Sequence, residues 1–530
     1  MSQFEALLGV LVVAVVLAAV ARKVGAPYPA FLALGGAVLA FLPGAPAFSI
    51  EPEVALALFV APVLLDAAYD ASPRDLRDSW VPVTSLAVVS VALTTLAVAV
   101  VVRALVPAMP LAAAVALGAI VAPPDATAAT AVLRQLRPPH RILTILEGES
   151  LLNDASALLI YRLAVGAVAM NAFSLRAAAP TLLLVIAGSI AAGPVLARLT
   201  LWMVKDIRDV PTSIIIQFIS TFGVWILADR LGLSSVLTMV SYAISVARRA
   251  PEHMPARMRL PSYAVWETAV FVLNVLAFVF IGLQIRPILT GLEPDTRMRY
   301  LFVAGAVLLT VILVRIAWVM THNSVARWKI HVFGFHPPRP TQRPTLGSGL
   351  IISWSGMRGI VTLAAALALP TQAGKGPFPF RDLIVLTAFS VVLGTLVLQG
   401  LTLRPLLKVL DLQDDDPVGR EADAARERAL EAALATFEGD TSPAAEAVRQ
   451  EFASHFRRAA TDPGAAQRGS AHDEIHRRAL IAARRVAFDM RARDEIGDHA
   501  FHRLEEEFDW IEMGSGAREG AEPGPEPPTR

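Results

Sequence analysis

The sequence predicts an all-α membrane protein: about 13 transmembrane helices, two of them broken, followed by a helical cytoplasmic tail. Three observations carry that expectation. Hydrophobic residues make up 55% of the 530-residue chain and charged residues only 18%, against about 25% charged in soluble proteins. Apolar runs near or above about 18 residues, long enough to cross a bilayer, recur through residues 1–410. Charge is split: residues 411–530 hold 27 acidic and 16 basic side chains, leaving 19 acidic and 31 basic in residues 1–410. A basic apolar body with an acidic tail reads as a membrane domain, 1–410, and a soluble domain, 411–530. This composition excludes an ordinary soluble enzyme, a disordered protein and a collagen-like fibre. The absence of cysteine excludes disulfides, thiolate nucleophiles and thiolate metal sites. The basic excess calls for no nucleic acid, because loops flanking a membrane account for it.

In chain order the spans read 4–22, 27–42, 53–71, 81–106, 110–133, 142–170, 180–203, 211–230, 233–248, 263–286, 299–325, 346–369 and 382–410. The first lacks a signal peptide's basic start and small-residue cleavage site, and runs straight into further spans, so it counts as structure. The second and ninth are short. In the fifth, VAPPDATAAT sets Pro123 and Pro124 beside Asp125. Proline removes a backbone donor and clashes with the preceding turn, so a break is expected there. The sixth carries Glu147, Glu149, Asp154 and Arg162, more charge than a plain anchor holds. In the twelfth, SWSGMRGIV flanks Arg358 with Gly356 and Gly359, both weak helix formers. Alternate connections hold 20 Lys and Arg in one set and 8 in the other. The richer set faces the cytoplasm, which leaves the N-terminus outside and the tail inside.

A charge at mid-span costs roughly 2.5–3.5 kcal/mol on insertion scales, so each needs a partner, a watery cavity or a function. Glu147, Ser150 and Asp154, spaced i, i+3, i+7, share one helix face, which sets a hydroxyl beside a carboxylate. Glu149 lies about 140° round the helix from Asp154. It shares a face with Asn153 instead, and is expected to pair with a cation from another span. Arg162 and Arg315 read as side chains snorkelling to an interface; Asp70 and Glu267 read as interfacial groups. Interrupted spans at matching places in two halves point to a transporter site. With span seven as a connector, spans 1–6 and 8–13 form two repeats, and the broken fifth and twelfth spans correspond.

These residues also resemble a known family. GESLLND (148–154) is similar to the signature of monovalent cation/proton antiporters of the electroneutral, NhaP-like and eukaryotic sodium/proton exchanger branch, and GMRG (356–359) to its late arginine motif. APVLLDAAY (61–69) and WETAVFVLNVLAFVFIGL (266–283) resemble its third- and tenth-span patterns. The resemblance implies an inverted-repeat fold, a homodimer in the plasma membrane, and exchange of sodium or a related alkali ion for protons, with no cofactor. It implies that Asp154 binds the ion and the proton, that Asn153 is the neutral member of an Asn-Asp pair, and that Ser150 adds an oxygen ligand for sodium. It further implies an ion pair between Glu149 and Arg358, and makes Asp125 the acidic residue of the broken fifth span. One departure stands out. Where the family often has Thr-Asp-Pro, this chain has Pro124-Asp125-Ala126. Pro124 offers only its backbone carbonyl, and Thr127 or Thr130 would have to supply a hydroxyl.

Hard alkali cations favour carboxylate, hydroxyl and carbonyl oxygens, which Asp154, Ser150 and a carbonyl near Pro124 provide. One carboxylate taking a proton or a cation by turns would couple the two fluxes, one for one. Two other classes stay open at this stage. A cation channel needs a continuous pore. An intramembrane aspartyl-type hydrolase would use Asp125 and Asp154. In the tail, helices are expected over 420–439, 443–459 and 471–512, and disorder over 514–530. The tail is expected to contact the transporter domain or a regulator. His472 and His476, spaced i, i+4, read as part of a charged solvated helix rather than a metal site.

Overall fold

A computed structural model describes residues 2–24, 27–42, 51–133, 138–170, 175–207, 209–253, 256–334, 344–373 and 376–410, with isolated positions beyond 411. The chain divides into two units, Met1–Asp415 and Asp416–Arg530. The expected tail helices and the His472/His476 pair lie outside the described residues.

The first unit is nearly all helix. In order come α1 (Ser2–Val24), α2 (Tyr28–Ala40), and α3 (Pro52–Ala55), which continues through a π-helical stretch into α4 (Ala61–Asp70). Next are α5 (Pro73–Asp78) and α6 (Trp80–Thr84), the latter running through a second π-helical stretch into α7 (Val91–Leu105). The interrupted pair α8 (Leu111–Val121) and α9 (Ala126–Leu133) precedes α10 (His140–Met170), α11 (Leu175–Val204), α12 (Val210–Arg230) and α13 (Ser235–His253). Then follow α14 (Ala256–Leu283), α15 (Ile285–Thr290) and α16 (Pro294–Phe333). A second interrupted pair, α17 (Leu346–Trp354) and α18 (Ile360–Leu367), leads through a short antiparallel ribbon, Gln372–Ala373 with Gly376–Pro377, to α19 (Arg381–Leu410). Among the described residues, 7 helical stretches are long and apolar enough to cross a membrane.

The outward residues are as apolar as the core. Val12, Leu184, Ile219, Phe302 and Leu309 are all more than half exposed. Helices that are apolar all round belong in lipid. Lipid offers no hydrophobic force between helices, so close backbone approach does that work. At the α2–α14 contact a Cβ added to Gly36 or Gly282 would overlap the other helix's backbone. The α16 rod has 40 residues, or about 60 Å at 1.5 Å per residue, and its midpoint falls near Arg315.

Candidate functional site

Both expected breaks are present, and each has a chemical cause. Pro123 and Pro124 cannot donate, so the fifth span stops at Val121 and restarts at Ala126. Asp125 caps the restart: its Oδ1 accepts from the Thr127 amide at 2.8 Å. The twelfth span stops at Trp354 and restarts at Ile360, with Gly359 as the residue before the new helix. The two breaks touch: the Asp125 amide donates to the Met357 carbonyl at 2.6 Å. A Cβ on Gly359 would overlap the Asp125 carboxylate, so only glycine permits this contact. That carboxylate therefore lies beside the N-terminal ends of both α9 and α18, where helix dipoles favour negative charge.

The carbonyl ends of the broken helices are treated alike. Arg358, 1% exposed, donates from Nε to the Val121 carbonyl at 3.1 Å, from Nη2 to the Ala122 carbonyl at 3.2 Å, and from Nη1 to the Gly356 carbonyl. These groups replace the backbone donors that α8 loses when it stops. Thr395 of α19 accepts from the Arg358 amide at 3.0 Å. Arg315, also 1% exposed, serves α17: Nε donates to the Ser353 carbonyl at 3.2 Å and Nη2 to the Ile352 carbonyl at 3.0 Å. Gly356 leaves room for it, since a Cβ there would overlap the Arg315 side chain.

Two expectations are corrected here. Glu149 pairs with Arg315, not with Arg358. Its carboxylate takes a bidentate pair of bonds, from Arg315 Nη1 at 2.6 Å and Nη2 at 2.9 Å. Arg315 does not snorkel, because it sits mid-way along a rod far longer than its side chain can reach. Arg162 is exposed and pairs with Asp229 at 3.2 Å. The sequence argument that Glu149 turns away from Asp154 toward a foreign cation holds; its choice of cation does not.

A cavity of about 40 Å³ lies between the breaks and α10, lined by Asp154, Ser150, Asp125, Pro124 and Thr127. That is room for a water or a partly hydrated cation. Asp154 is 7% exposed, and among the described residues no hydrogen bond or ion pair reaches its carboxylate. Asn153 does not line the cavity. Its amide donates to the Pro124 carbonyl at 2.7 Å, which fixes that oxygen from α10. Thr130 bonds the Thr127 carbonyl instead. Two further polar residues line it: Asn274 of α14, which the sequence reading held only as part of the tenth-span motif, and Thr362 of α18, which it missed. Asn274 stands alone in the apolar run VLNVLAF, and that isolation was the signal available.

Interrupted helices crossing at mid-molecule around buried carboxylates define an ion-carrying class of helical membrane protein. The chain belongs to the sodium/hydrogen exchanger family: residues 10–409 match the family model described as sodium/hydrogen exchanger, transmembrane. It is 32% identical over 392 residues to the sodium, potassium, lithium and rubidium/H(+) antiporter of Bacillus subtilis (strain 168), covering 72% of this chain but only 58% of that relative. It is 28% identical to the uncharacterized Na(+)/H(+) exchanger YjcE of Escherichia coli (strain K12), over 92% of this chain and 93% of that one. The solved sodium proton antiporter MjNhaP1 of Methanocaldococcus jannaschii aligns with TM-score 0.57 and 18% identity, covering 77% of this chain and all of the other, a likeness of fold.

Proposed function

We propose that the protein exchanges sodium or another alkali cation for protons, electroneutrally and one for one, by competition at Asp154. The observation that carries this reading is a buried carboxylate that no hydrogen bond or ion pair reaches among the described residues, facing a cavity the size of a small ion. Desolvation disfavours a bare carboxylate there, so Asp154 takes a proton or a cation, never neither and never both. Asp125 is a different case: the Thr127 amide and two helix N-termini already compensate it. Ser150 and Thr127 offer hydroxyl oxygens, and the Pro124 carbonyl keeps a lone pair beyond the one Asn153 uses. Asn153 acts as a positioning residue for that carbonyl.

If each turnover trades one cation for one proton, both loaded forms carry equal charge. A net charge moved would cost or yield about 2.3 kcal/mol per 100 mV, so exchange ignores membrane potential. The family likeness and loop charges support thirteen crossings in two inverted repeats, a homodimer in the plasma membrane, an outside N-terminus and a cytoplasmic tail. The printed name of the Bacillus relative supports alkali cations as the substrate class.

The test uses purified protein in vesicles with an acidic lumen and a pH dye. Adding sodium, potassium or lithium should dissipate the gradient, at a rate unchanged by an imposed potential. Asp154→Asn should abolish the response; wild-type rates in that variant reject the assignment. A rate that follows the potential rejects the one-for-one ratio alone.

A further inference from the structure

A second, larger cavity lies away from the broken helices, and its chemistry differs. It encloses about 460 Å³ between α4, α11, α12, α13 and α14, inside the range of about 300–1,000 Å³ typical of small-molecule sites. None of its lining residues lines the ion cavity. A single alkali ion does not need this space.

Its wall combines aromatic faces with carboxylates. Among the described residues, Tyr69, Tyr242, Tyr263 and Trp266 line it, together with Asp66, Asp70 and Glu267, against one guanidinium, Arg259. Trp266 is held in place twice. It stacks on Phe218 at 4.4 Å between ring centres, tilted by 16°. Its Nε1 donates to Gln217 Oε1 at 2.8 Å, while the Gln217 amide donates to Ser262 at 3.2 Å. Tyr69 and Tyr263 meet edge to face, ring centres 6.2 Å apart. Such a wall is organised before any ligand arrives, which lowers the ordering cost of binding.

Fixed aromatic faces beside acidic groups attract organic cations. The ring quadrupoles add to the carboxylate charge, and the apolar surface covers the hydrocarbon. An anion would meet three carboxylates and one arginine among the described lining residues.

We propose that this chamber is a second ligand site, for an organic monocation with an apolar body such as a quaternary ammonium. Equilibrium dialysis of radiolabelled benzyltrimethylammonium against the full chain in lipid nanodiscs tests it. Saturable binding is expected, weakened about tenfold by Trp266→Leu and by Glu267→Gln. The exposed position of Glu267 keeps the second variant folded whatever Trp266 contributes to packing. Asp154→Asn should leave binding unchanged, and the neutral carbon isostere neopentylbenzene should not compete. Absence of saturable binding, or binding indifferent to both chamber variants, overturns the proposal. So does loss of binding in Asp154→Asn, which would put the probe in the ion cavity. Equal competition by neopentylbenzene removes the requirement for positive charge and overturns it as well.

Discussion

Arg315 and Arg358 are both buried, and both cap the carbonyl end of a broken helix, yet only one has a carboxylate. Arg315 spends two donors on Glu149 and two on α17. Arg358 spends its guanidinium on carbonyls alone. Oriented dipoles thus suffice for one buried guanidinium, while the other also neutralises an acid that α10 brings in. The difference teaches that Glu149 and Arg315 tie α10 to α16, whereas Arg358 ties the two breaks to each other.

Removing one member of each set separates these roles. Arg315→Leu strands Glu149 in the core and should cost about 3–5 kcal/mol, the usual penalty for half of a buried pair. Adding Glu149→Leu should recover most of it, read as thermal unfolding of the purified protein. No recovery would mean that the α17 carbonyls, not the acid, are what Arg315 stabilises. Arg358→Leu strands carbonyls at about 1–3 kcal/mol each, and removing Glu149 as well should give no rescue. A rescue would break the distinction between the two arginines. Thr395→Val takes the acceptor from the Arg358 amide and should cost about 1 kcal/mol, with Thr395→Ser close to wild type in the same assay.

The smallest effect belongs to an ion pair outside the spans. Asp75 of α5 meets His140 at 3.2 Å. Partial burial pushes the Asp75 carboxyl up, but bonds to His140 and Ser72, with the charges of His140 and Arg74, outweigh it and hold it below the ordinary aspartate range. A depressed carboxyl stabilises the fold above its unfolded value near pH 4 and loses that contribution as pH falls through the folded value. Asp75→Asn should therefore lower the melting temperature slightly at pH 6, by less than about 1 kcal/mol in stability. The gap should close in acid below pH 4. A gap that persists there would mean that packing, not ionisation, is at stake.

Much of the site was legible because its residues carry their own geometric consequences. Two prolines beside Asp125 can only end a helix, and two glycines around Arg358 invite the same. The i, i+4 relation of Ser150 and Asp154 needs nothing beyond helical periodicity. Partner choice was not legible. Glu149 had two candidate arginines, and nothing local distinguishes the one 166 positions away from the other. Helix length was the missing quantity: 40 residues of α16 leave Arg315 too deep to reach either end. Asn153 shows the same limit. The family resemblance implied a role shared with Asp154, whereas successive helical residues diverge by about 100° and its amide reaches Pro124 instead.

One contact between the breaks constrains how the molecule can work. The Asp125 amide on the Met357 carbonyl, with Gly359 pressed against the Asp125 side chain, leaves no slack between the two crossings. Sliding one past the other would strand these buried polar groups, which favours their moving as one piece. Under the proposed exchange, a path that opens to either side of the membrane while keeping this joint intact is a movement of the surrounding scaffold relative to it.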